Sequence, residues 1–148
     1  EGSLATKKDS VILFSDMKIA FTDSNQIASG LLAVLSTHFI FEINIFQIST
    51  NNRGQFPLLL SEIIATTGLI LTILHLREND SNVAIGVALF ITAGYWFTSS
   101  TSFANPMVTI SRIFTDTFTG IAPASIPYFL GGQMIAIFIA DFVYKRFE

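Results

Sequence analysis

The chain has 148 residues, 51% of them hydrophobic and 13% charged, where an average soluble domain carries roughly 25% charge, and its mean hydropathy is +0.59. A net charge of -3 with no basic block excludes a nucleic-acid footprint, and the lack of any Cys excludes a disulfide framework, a thiolate metal site and a thiol nucleophile. The four Pro and nine Gly fall inside long apolar stretches as well as between them, which a transmembrane bundle tolerates and a soluble helical protein avoids, so the expected solvent is the lipid bilayer.

Residues 1–25 are polar and mixed, and their one apolar run, residues 11–14, is too short to span. They read as an N-terminal segment outside the membrane, with residues 26–148 forming the membrane domain. The chain begins with Glu and shows no signal-peptide pattern, so it reads as a fragment or a processed chain. Residues 26–46 (QIASGLLAVLSTHFIFEINIF) match the ~20 residues that a bilayer core requires and form the first expected span, with Glu42 near its end. A polar loop follows over residues 47–56, and Pro57 suits the first position of a helix, because its missing N–H would be unpaired there anyway. Residues 58–74 are the second expected span and residues 82–97 the third.

The next stretch does not fit a plain span. Residues 99–105 (SSTSFAN) are small and polar, Pro106 follows, and residues 107–114 are apolar before the chain turns polar again. A helix of about ten residues is ~15 Å long, half a bilayer, so residues 103–114 are expected to form a re-entrant half-helix. Residues 126–142 are the fourth span, with Tyr144, Lys145 and Arg146 as an interfacial anchor. The expected fold is therefore an all-α, polytopic membrane bundle of four spans and one half-helix. If the spans alternate, Lys7, Lys8, Lys18, Arg77, Lys145 and Arg146 share one side and only Arg53 and Arg112 lie on the other. The positive-inside rule then places both ends in the cytoplasm.

Asn105 is a favoured N-cap and Pro106 a favoured first helical residue, so the pair starts a helix wherever it lies. On a soluble surface it would be an ordinary capped helix. Inside a membrane, exposed backbone is permitted only where it is buried in protein or lines a watery cavity. A helix N-terminus at that depth presents roughly half a positive charge, which opposes cations and leaves neutral solutes unhindered.

Residues 95–133 (YWFTSSTSFANPMVTISRIFTDTFTGIAPASIPYFLGGQ) resemble the second signature loop and last helix of bacterial aquaporins and aquaglyceroporins, the major intrinsic proteins, with weaker likeness back to about Gln26. The resemblance implies a C-terminal portion of such a channel, with the four spans corresponding to the third to sixth helices of an aquaporin-like fold. It also implies a second half-helix, a pore through each subunit, a homotetramer, and water, glycerol-like polyols or arsenite-like neutral acids as solutes. By the same resemblance Asn105 offers its amide to the solute, Pro106 starts the half-helix, and Met107 stands where the family usually has Ala, shifting or narrowing the passage unless it is tolerated packing. The constriction residues three after, three before and twelve before the motif Asn are Val108, Ser102 and Ala93; none is bulky or charged, so a wider, less polar filter is expected than in strict water channels. Arg112 lies too far along for the usual Arg position and reads as an outer-face or loop anchor. The family's first Asn-Pro-Ala motif is expected near the start of the chain, where EGSLA stands and does not match, so the alternative is a non-conducting remnant or partial chain.

Glu62 sits in the first turns of the second span, where a buried charge costs ~2.5–3.5 kcal/mol on insertion scales, so it must face protein or water. The resemblance assigns it the support of the re-entrant loop, through hydrogen bonds from that loop's N–H groups. Small residues recur four apart at Ser29 and Ala33, at Ala84 and Ala88, and at Gly132, Ala136 and Ala140, a spacing that brings helix backbones close in lipid. His38 with Glu42, and His75 with Glu78, are spaced to pair locally, each as a lone interfacial histidine. No metal and no cofactor is expected, and an enzyme finds no nucleophile with a base and no paired carboxylates.

Overall fold

The computed structural model describes residues 24–77 and 80–147. The N-terminal segment expected over residues 1–25 lies almost wholly outside the described residues, as does Glu78. Among the described residues the chain is helical without strands. Four long helices, α1 (Ser24–Ile40), α2 (Phe56–Leu76), α3 (Asp80–Phe97) and α5 (Ile126–Phe147), surround a short helix, α4 (Pro106–Ser111), which a 3-10 turn extends over Arg112–Phe114.

The first span ends earlier than expected. α1 has 17 residues, about 26 Å, and stops at Ile40 instead of continuing to Phe46. Its end is a Schellman turn: Ile43 N–H donates to His38 O at 3.0 Å, Glu42 N–H donates to Phe39 O at 3.3 Å, and Glu42 takes the left-handed conformation with φ 54°. Gly normally occupies that position, so Glu42 carries no sequence signal of the stop. α2 starts as its residues dictate, with Gln55 extended at φ -124° and ψ 148° and Pro57 in the first turn, where no N–H is needed. α5 likewise carries Pro127 in its first turn, after a 3-10 turn at Pro123–Ser125.

Among the described residues two helices, α2 over Phe56–Leu76 and the segment Pro123–Phe147, are long and apolar enough to cross a membrane. α1 is short by length, and α3 opens on the polar residues Asp80, Ser81 and Asn82. Only 22% of the most apolar stretch of α2 and 33% of that of α5 is buried within the protein, the reverse of a soluble core helix. Their outward faces carry large apolar side chains such as Ile64 and Phe142, 63% and 70% exposed, which lipid accommodates and water does not.

α2 packs most extensively on α5 and next on α3, while α1 packs on α4 and the 3-10 turn behind it. The half-helix thus lies between α1 and α5. The α2–α5 seam uses small residues: Gly132, Ala136 and Ala140 are buried, and a Cβ on Gly132 would stand 3.0 Å from Leu59 O and 3.2 Å from Glu62 Cβ. Ser29 and Ala33 on α1 and Ala84 and Ala88 on α3 remain exposed, so these pairs bring no described helices together.

Candidate functional site

Asn105 is the N-cap of α4, extended at φ -152° and ψ 126°. Its Oδ1 accepts from Met107 N–H at 2.7 Å and Val108 N–H at 3.4 Å, which satisfies two of the orphan donors of the first turn. With the oxygen so occupied, the amide is oriented and its N–H₂ donors are left for a molecule outside the helix. Asn105, Met107, Val108, Ser111 and Arg112 line a cavity of about 880 Å³ whose opposite wall is α1, from Asn25 to His38. Met107 is 4% exposed and its carbonyl lies beside Gly30, so this residue packs in the contact between half-helix and α1.

Leading into Asn105, three non-glycine residues adopt the left-handed conformation: Thr101 (φ 61°), Ser102 (φ 48°) and Ala104 (φ 45°). Such strain persists only where the surroundings over-determine it. Glu62, fully buried on α2, accepts the Ala104 N–H through Oε1 at 2.5 Å and also accepts from Gln133 Nε2 of α5 at 2.8 Å. Gln133 Nε2 donates as well to Thr109 Oγ1 at 2.9 Å, and Thr109 Oγ1 donates to Asn105 O at 3.1 Å. A buried polar chain therefore runs from α2 and α5 to the carbonyl of the capping residue. From the other side Ser100 N–H donates to Ser61 Oγ at 3.1 Å, and Arg53 donates to Ser99 O at 2.9 Å and to Thr101 Oγ1 at 3.4 Å.

This strained, doubly anchored loop ending in an Asn-Pro cap at a cavity is the setting in which the overall likeness can be weighed. Over 111 residues the chain is 40% identical to Aquaglyceroporin AqpS of Rhizobium meliloti (strain 1021), an alignment that covers 74% of this chain and 48% of that protein. The chain belongs to the aquaporin family. It spans about half the length of this curated relative. No family pattern and no solved structure matches it. The aquaporin-like bundle is thus an integral membrane protein.

Of the residues expected at the constriction of this aquaporin-family chain, Val108 lines the cavity beside Asn105. Ser102 and Ala93 do not: Ser102 is 6% exposed and pressed against Gly94 of α3, where a Cβ would come within 2.7 Å of its Oγ, and Ala93 is exposed on α3. Arg112 lines the cavity too, with its guanidinium donating to Thr119 Oγ1 and lying 5.9 Å from the Phe103 ring centroid.

The expectation for His38 needs correction. His38 is 1% exposed and does not pair with Glu42, which the end of α1 turns into a left-handed corner. Its Nδ1–H donates to Ile45 O at 2.9 Å, since a carbonyl only accepts, so in the neutral ring Nε2 accepts from Thr115 Oγ1 at 2.9 Å. His38 thereby clamps the loop after α1 to the loop after α4. His75 Nδ1 donates to Leu71 O at 2.8 Å and packs edge-on against Tyr144.

Three contributors escaped the sequence reading. Gln133 and Thr109 look like ordinary polar residues in a span and a half-helix, and Arg53 was read only for its side of the membrane. The available signal for Arg53 is its isolation in the count of cations by expected side, where it stands apart with Arg112 alone. Burial pushes its guanidinium below the ordinary value and the charge of Glu62 opposes that shift; an arginine remains charged regardless. It lies 5.7 Å from the ring centroids of both Phe103 and Phe129, which are 4.9 Å apart.

Proposed function

We propose that the chain serves a passive membrane channel for small uncharged solutes, namely water, glycerol-like polyols and arsenite-like neutral hydroxylated acids. The observation that carries this reading is the amide of Asn105. Its oxygen is held by Met107 and Val108 N–H, which leaves the N–H₂ as a fixed donor at a cavity whose neighbouring wall, Val108, is apolar. One oriented donor against an apolar surface suits a solute that carries hydroxyl groups and no charge. The name aquaglyceroporin carried by AqpS supports glycerol-like solutes for this chain as well.

In this proposal residues 26–148 form the membrane domain, α1, α2, α3 and α5 are the third to sixth family helices, and residues 1–25 lie in the cytoplasm with the C-terminus. The assembly is a homotetramer in the cell inner membrane. Asn105, Pro106 and Met107 form the pore motif, Val108, Ser102 and Ala93 the filter region, and Glu62 the support of the loop.

Stopped-flow light scattering of proteoliposomes under water, glycerol and arsenous acid gradients tests the reading, with Val108→Arg as comparison. The expected outcome is solute flux above that of empty liposomes, reduced about tenfold or more by Val108→Arg, because a cation and its bulk then occupy the wall beside Asn105. Inserted protein without flux, or flux indifferent to Val108→Arg, overturns it.

A further inference from the structure

Among the described residues eighteen line the cavity between α1 and the half-helix, and of these Arg112 is the one Lys, Arg, Asp or Glu. Its position follows from the helix: Arg112 N–H donates back to Val108 O, so the two residues stand one turn apart on one face, ~6 Å along the axis at 1.5 Å per residue. The guanidinium is held by two independent contacts, a hydrogen bond to Thr119 Oγ1 and the face of Phe103 at 5.9 Å, so its charge has a fixed place. Of its five N–H donors one is committed to Thr119, and Thr117 and Thr119 line the cavity beside it, while the Thr115 hydroxyl is taken up by His38 and Thr117. The other cation on Phe103, Arg53, is turned instead to Ser99 O and Thr101 Oγ1 and does not line the cavity.

We propose that Arg112 is the charge-selecting residue of this cavity, excluding cations one helical turn beyond Val108 while its free donors, with Thr117 and Thr119, receive neutral hydroxylated solutes. Its meaning for transport rests on the channel reading, but a fixed charge near Val108 can be measured whether or not the protein conducts. The chain has no Cys, so Val108→Cys introduces its sole thiol. In proteoliposomes of the full chain, Val108→Cys is reacted with an anionic and with a cationic methanethiosulfonate, and the ratio of the two rates reads the local potential.

The anionic reagent is expected to be favoured, and Arg112→Gln in that background should lower the anionic-to-cationic ratio about tenfold, as Coulomb's law gives for a unit charge placed at the ~6 Å axial separation of the two residues in a water-like dielectric. Arg112→Lys should retain the preference, and this variant keeps the test decisive if the Gln variant inserts poorly. Lys145→Gln, near the C-terminal end of α5 and outside the cavity lining, should leave the ratio unchanged. A ratio indifferent to both Arg112 substitutions, an equal fall with Lys145→Gln, or a Val108→Cys thiol that neither reagent reaches overturns the proposal. Flux of glycerol in the same vesicles is read separately: no flux with the ratio shift intact removes the channel reading and leaves the charge assignment standing.

Discussion

Glu62 is the residue on which the loop before Asn105 depends most directly. A non-glycine residue in the left-handed region costs about 1–2 kcal/mol, and Thr101, Ser102 and Ala104 all adopt it. The Ala104 N–H that this geometry turns inward would be an unpaired buried donor without the Glu62 carboxylate 2.5 Å away. Replacing Glu62 with Ala strands that N–H and one partner of Gln133, at about 1–3 kcal/mol for each buried group left unsatisfied. Glu62→Gln keeps an acceptor oxygen and should lose less than half as much. Thermal unfolding of the detergent-solubilised protein checks the order, wild type above Glu62→Gln above Glu62→Ala; an Ala variant as stable as the Gln variant would show that the loop is held elsewhere.

At the scale of elements, the half-helix reaches its place because α1 offers it no side chain at the closest point. A Cβ on Gly30 would stand 2.2 Å from Ser111 Oγ and 3.3 Å from Ser111 Cβ. Gly30→Ala should therefore push α1 and α4 apart, with an overpacking penalty of about 1–3 kcal/mol despite the better helix propensity of Ala. Ser111→Gly in the same background removes the opposing atoms and should recover most of the loss. A double-mutant cycle on the unfolding midpoint measures this coupling, and additive effects would mean that the two helices do not meet there. The same logic explains the α2–α5 seam, where Gly132 admits the carbonyl of Leu59. In both places a small residue permits close approach in a solvent that supplies no hydrophobic drive between helices.

The whole molecule presents apolar side chains outward from every long helix, among them Leu32 of α1, Ile64 of α2, Leu89 of α3 and Phe138 of α5. Such a surface is stable only against acyl chains. The chain expressed in a bacterial host should therefore remain in the membrane pellet after alkaline carbonate extraction, which strips peripheral proteins; recovery in the supernatant would contradict an integral bundle.

How much of this was legible in the sequence differs by element. The half-helix was readable within a few residues, because Asn105 and Pro106 are local start signals and the apolar run after them is too short to span. The end of α1 was not, because its αL corner falls on Glu42 and depends on the loop after α1 being tied to Thr115 through His38. Among the site residues, Val108 shares the cavity with Asn105 by helical spacing alone, whereas Ser102 turned away toward Gly94 because its own backbone is left-handed. Composition and the length of the apolar runs by themselves determined the solvent, the helical class and the place of the half-helix, since each depends on hydrophobicity and on i, i+4 geometry within one segment. Only the tertiary structure decided that Gln133, Thr109 and Arg53 hold the loop and that, among the described residues, Arg112 alone brings a formal charge to the cavity, because those roles arise from side chains up to about 70 residues apart meeting in space.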